Sequence, residues 1–201
     1  MEKIAETQVP IHELMRRRWS PRAFADLPVE DCKLVSLFEA ARWAASSGNE
    51  QPWAFVVATR QDPKNFEALA GVLVESNRAG AGTAPVLILT VAHTQFERDG
   101  RPNRTALYDL GQATAHLSLQ ATAVGLVTHP MAGFNIEAAR ERFAIPSGWE
   151  PVSIIAAGYP GDPARLPEKL QQRETAPRVR KPLDSFVFSG RWGNAAPLLQ
   201  S

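Results

Sequence analysis

Apolar positions along the chain fall into two periods. Leu34, Leu37, Phe38 and Ala41 stand at i, i+3, i+4 and i+7, which predicts a helix over residues 29–44 behind Pro28. Phe66, Leu69, Ala70 and Leu73 repeat that spacing after Asp62-Pro63, and the glycine-rich stretch 77–83 should break this second helix. The longest predicted helix spans 104–124, with Leu107, Leu110, Thr114, Leu117 and Ala121 as its buried stripe and with alanines that allow close approach of neighbours. Shorter helices are predicted over 11–17 and from the Asn135 N-cap to about Phe143. Unbroken apolar runs at 53–59, 85–92 and 151–157 read as strands, those at 85–92 and 151–157 fully buried. Residues 94–104 are polar and predict a surface loop. The interleaving fits helices packed on a mixed sheet in a single domain over 1–201. From Asp162 onward the chain is rich in Pro and Arg with little periodicity, so 162–201 reads as a tail that is either disordered or lies on another surface, a partner subunit being the natural one.

At 201 residues, 44% hydrophobic and 21% charged, the chain has enough apolar surface for a core, which excludes disorder as its main state. A net charge of +1 gives no general attraction to nucleic acid or membrane. The basic residues are 17 Arg and 5 Lys, an excess of forked donors that suits an anionic ligand and that a GC-rich genome also explains. The single cysteine, Cys32, excludes a disulfide framework, and no His pair has metal-ligand spacing, so no metal is expected. No apolar run approaches the ~20 residues of a membrane span, and residues 1–18 lack a signal-peptide core, so the chain reads as soluble and cytoplasmic.

There is no nucleophile elbow, phosphate loop or dinucleotide fingerprint. Three segments carry chemistry instead. In Arg18-Trp19-Ser20-Pro21-Arg22-Ala23-Phe24, Pro21 disfavours a helical Ser20, and an extended chain sends Arg18, Ser20 and Arg22 to one side, a constellation suited to phosphate. A solvated basic helix end is the alternative. The loop Ala45-Ser46-Ser47-Gly48-Asn49-Glu50-Gln51-Pro52-Trp53 gathers donors and acceptors that can hold a planar heterocycle. The segment 125–134, holding Pro130 and Gly133, can leave backbone N–H groups to a ligand, and Arg178, Arg180 and Lys181 lie far downstream.

In this order the segments resemble the nitroreductase family of flavoproteins. The opening motif, basic-x-Ser-x-basic-x-Phe, matches Arg18, Ser20, Arg22 and Phe24. The Ser-Ser-x-Asn-x-Gln-Pro-Trp loop matches Ser46 to Trp53, with Ala45 where the family has Pro. Asn77 ahead of Ala84-Pro85, and Gly125-Leu126 followed by Pro130 and Gly133-Phe134, complete the match.

The resemblance implies an α+β fold with a mixed, largely antiparallel sheet flanked by helices, and a homodimer with one FMN per site at the subunit interface and NADH or NADPH as donor. Hydride would pass through flavin N5 to a nitroaromatic, quinone or similar small acceptor in ping-pong order. Arg18, Trp19 and Ser20, joined by Arg178 and Arg180, would hold the phosphate and ribityl chain, while Arg22 and Asn77 face the pyrimidine edge. Ser46, Ser47, Asn49 and Gln51 would come from the other subunit, and the backbone of Pro130, Met131, Ala132 and Gly133 would face N5. No side chain is expected to be catalytic, with Arg22 as electrostatic support for the charge that flavin gains on reduction. Some relatives carry a basic residue where this chain has Gly80, and others Glu where it has Ala132. A non-catalytic flavin store or sensor, and a flavin-destroying or dehalogenating relative, are the alternative functions.

Overall fold

The computed structural model describes residues 2–200. Its centre is a four-stranded sheet in the order β1-β2-β4-β3, from β1 (Trp53–Thr59), β2 (Val86–His93), β3 (Val127–Met131) and β4 (Trp149–Gly158). All three pairings are antiparallel, the majority direction that was expected. β3 had not stood out in the sequence as a strand. It carries Pro130, which removes a ladder donor and is tolerated because β3 is an edge. Pro151 lies in the inner strand β4, where the β2–β4 register shifts at Thr90/Val91, so the ring falls at an irregularity.

Alternation along β2 divides the core. Leu87, Leu89 and Val91 face α3 (Pro63–Ala70) and α6 (Ile136–Arg142), packing with Phe66, Leu69, Ala139 and Phe24. Val86 and Ile88 face α2 (Asp31–Arg42) and α5 (Ala106–Ala123), packing with Leu34, Leu37, Ala113 and Leu117. Helices therefore cover both faces, which explains why the inner strands read as unbroken apolar runs. Among the described residues no helix is long and apolar enough to cross a membrane.

Three expectations need correction. The buried stripe of α5 is Ala106, Asp109, Leu110, Ala113, Leu117, Ser118 and Ala121, whereas Leu107 is 50% exposed. Small residues, rather than the largest one, face α2 because they let the two helices approach. Residues 77–83 do not break a helix. The break comes earlier, at Gly71, and α4 (Glu75–Ala81) follows it, with Leu73 bridging to Phe134. Finally, the tail is not without regular structure: α7 (Glu168–Thr175) folds back on its own chain and buries Glu174, while contact with a partner subunit remains an expectation for 162–201. There Val179 is 77% and Trp192 92% exposed.

Candidate cofactor site

α1 (Glu13–Arg17) ends where Arg18 turns extended, at φ −60° and ψ 122°, three residues before Pro21. Arg18 Nη1 donates to Ser20 Oγ at 3.3 Å, so alternate residues do share a side. The segment is pinned to the end of β4. Ala25 N–H donates to the Tyr159 carbonyl, Gly161 N–H to that of Ala23, and Phe24 bridges to Pro160. Gly161 passes so close that a Cβ there would sit 2.4 Å from the Phe24 carbonyl carbon. Trp19 points the other way: its ring lies under Lys3 Nζ at 5.0 Å and borders a hollow with Gly125 and Val127.

Arg18, Arg178, Arg180 and Lys181 line one cleft of about 910 Å³, opposite an apolar wall that includes Ile11, Met15 and Phe186. Glu6 is the single carboxylate in its lining, and among the described residues no ion pair joins a carboxylate to any of the four cations. Burial, and then the neighbouring Arg180, pulls the Arg18 guanidinium below its ordinary range. Burial, then Arg18 and Arg180, does the same to Arg178. Positive charge without a counter-charge in a cleft is a site for an anion. Arg178 also has a task of its own: its two terminal nitrogens donate to the carbonyls of Lys3, of Arg16 at 2.9 Å and of Arg18 at 3.0 Å. It stitches the N-terminal segment to the end of α1.

Farther along, the backbone N–H groups of Arg22 and Ala23 donate to the Glu174 carboxylate at 2.9 and 3.1 Å, and Arg22 Nη1 lies 3.7 Å from it. Arg22 packs over Gly80, where a Cβ would meet its Cβ at an ordinary 3.5 Å. Asn77, one turn earlier on that face of α4, donates from Nδ2 to the Gly133 carbonyl at 2.9 Å. Val74 N–H takes the same carbonyl, and a Cβ on Gly133 would lie 2.6 Å from the Asn77 amide nitrogen. Among the described residues, the Ala132 and Gly133 N–H groups make no hydrogen bond outside the strand ladder. Met131, by contrast, is a core side chain at 5% exposure and presents only backbone at this surface.

His129, on β3, ties this region together. Its Nδ1–H donates at 3.0 Å to both the Ser20 and Pro21 carbonyls. Burial, then the charge of Arg22, lowers its pKa, so the ring is neutral at pH 7. Glu174 gave no sequence signal, since α7 has no apolar stripe to mark it as buried.

The Ser46–Gln51 loop lies elsewhere. It contains the 3₁₀ turn Ser47–Asn49, and Asn49 and Gln51 adopt positive φ of 57° and 52°. Ser47 N–H donates to buried Asp109 on α5 at 3.1 Å, and Gln51 N–H to Ser46 Oγ at 3.0 Å. Asp109 stands on the buried stripe of α5, a placement that marks it as a buried acid. The loop feeds β1, whereas 131–133 leaves β3 at the opposite edge, about 14 Å across three strand spacings. Among the described residues no hydrogen bond or ion pair joins the loop to Arg18, Ser20, Arg22, Asn77 or Gly133.

Residues 15–159 match the family model described as the nitroreductase family. An uncharacterised 15.4 kDa protein of Mycolicibacterium smegmatis is 40% identical over 134 residues, 65% of this chain and 86% of that protein. A protein of Streptomyces coelicolor, provisionally named an NADH dehydrogenase/NAD(P)H nitroreductase, is 30% identical over 160 residues, covering 70% and 78% of the two chains. Among solved structures, an oxidoreductase containing FMN superposes with a TM-score of 0.88 at 32% identity, over 94% of this chain and 96% of that one.

Proposed function

The chain belongs to the nitroreductase family, and from that premise we propose that it is an FMN-dependent oxidoreductase that uses NAD(P)H. The observation that carries the reading is the cleft of unpaired cations, continued through the extended 18–22 segment to Arg22, Asn77 and Gly133. Its donor set fits FMN. Arg18, Arg180 and Lys181 take the phosphate, with Arg178 holding the Arg18 backbone in place, and Ser20 supplies a hydroxyl for the ribityl chain. Arg22 and Asn77 stand at the pyrimidine edge, and the Ala132–Gly133 backbone stands at the reactive one. Bound there, FMN supplies the two-electron chemistry, by which hydride from NAD(P)H reaches a nitroaromatic, quinone or similar small acceptor in ping-pong order.

The other wall comes from a second copy of the chain. Ser46, Ser47, Asn49 and Gln51 precede β1 at the end of the sheet where β4 begins, whereas Arg22 lies beside Phe24, which bridges to Pro160 past the end of β4, and a twofold-related partner brings its own loop across. Exposed Trp43 (72%), Leu107 (50%) and Tyr108 (70%) supply apolar surface for that contact, together with residues 179–200. Purified protein should be yellow, dimeric and hold about one FMN per chain, and should oxidise NADH or NADPH continuously with menadione. Colourless protein that refuses added FMN overturns the reading. Tight FMN binding without turnover would instead mark a store or sensor.

A further inference from the structure

Glu174 is the one buried carboxylate beside the proposed cofactor edge, at 1% exposure. Burying an acid is costly unless its charge is matched. The backbone requirement here is modest: the Arg22 and Ala23 N–H groups need an acceptor, which a neutral amide oxygen also provides. What the carboxylate adds is negative charge 3.7 Å from the Arg22 guanidinium. Arg22 packs on the Gly80 face of α4, beside Asn77, and the nearby His129 ring is neutral. The side-chain charges that meet there are those of Arg22 and Glu174, with Lys3 a further cation on the backbone side of Glu174.

We propose that Glu174 is a positioning residue that sets the reduction potential of the bound flavin by partly cancelling the charge of Arg22. This rests on the reading that Arg22 faces the pyrimidine edge of FMN. Reduction adds negative charge to that edge, so a partly neutralised Arg22 holds the reduced cofactor less tightly and keeps it a stronger donor. Lys3 braces the arrangement, its Nζ donating to the Glu174 carbonyl at 2.7 Å.

The test is an anaerobic redox titration of holoprotein against a reference dye, for wild type, Glu174→Gln and Arg22→Gln. Glu174→Gln should favour the reduced form on the order of tenfold, the scale of one charge acting through the protein at an effective dielectric of about 20. For a two-electron couple that is a rise of about 30 mV. Arg22→Gln should lower the potential. The outcome separates the roles: if Glu174 merely holds the backbone, the amide oxygen of Glu174→Gln still accepts from Arg22 and Ala23 and the potential stays where it is. A fall, or no change, overturns the proposal. If Glu174→Gln yields no folded protein, Glu174→Asp, which draws the carboxylate back from Arg22, must give a smaller rise, and an unchanged value overturns the proposal equally. Loss of folded protein in both variants does so too, leaving a structural role alone. Wild-type protein that never turns yellow with FMN brings down the functional reading itself, a failure visible before any titration.

Discussion

Replacing Arg178 with Met separates two roles for one guanidinium. The substitution keeps a long apolar stem and removes the donors to the carbonyls of Lys3, Arg16 and Arg18. A hydrogen bond from a charged donor is worth about 1.5–3 kcal/mol when buried, but Arg178 is half-buried, so roughly 0.5–1.5 kcal/mol each is the better range. Relief of repulsion with Arg18 and Arg180 offsets part of this. We therefore expect apoprotein to lose about 1.5–3 kcal/mol, which for a chain of this length is roughly 3–12 °C in Tm. Urea unfolding at one fixed protomer concentration measures it, because a dimer's stability depends on concentration. FMN affinity should fall as well, through a displaced Arg18, and Arg178→Lys should not restore it, since an ammonium cannot fork to three carbonyls. An unchanged apoprotein midpoint alongside weakened FMN binding would refute the argument and make Arg178 a direct phosphate ligand.

Arg18→Ala should weaken FMN tenfold or more, a charge-assisted phosphate contact being worth about 1.5–3 kcal/mol, and leave riboflavin affinity nearly unchanged; quenching of flavin fluorescence reads both. His129 has a lowered pKa in the fold, so the unfolded chain binds more protons and stability falls as pH drops below about 6.5. The difference in urea midpoint between pH 7.5 and pH 5 should shrink in His129→Gln, and an equal difference would clear His129 of the effect. Gly161→Ala places a Cβ 2.4 Å from Phe24 backbone and should cost on the order of 2–4 kcal/mol. Gly80→Ala meets only ordinary contact inside α4 and should stabilise by about 0.5–1 kcal/mol. Thermal melts that rank these two glycine variants the other way would contradict the packing described for them.

The local plan of this protein was legible because its signals are local. Helix α2 follows from apolar spacing, the β2 and β4 strands from unbroken runs, and the end of α1 from Pro21 beside Ser20. The same residues that stop the helix put Arg18 and Ser20 on one side, so that juxtaposition could be read before any fold was known. Tertiary structure decided what depends on residues far apart in the chain. Glu174 reaches Arg22 across 152 positions, His129 reaches Ser20 across 109, and Arg178 reaches Lys3 across 175. None has a periodic signature, because each is specified by a backbone group on another element and not by its own neighbours in sequence. Packing also turned α5 so that Ala113, Leu117 and Ala121, rather than Leu107, meet α2. It also placed the Ser46–Gln51 loop at the end of the sheet where β4 begins and the 18–24 segment past the end of β4, where Phe24 meets Pro160.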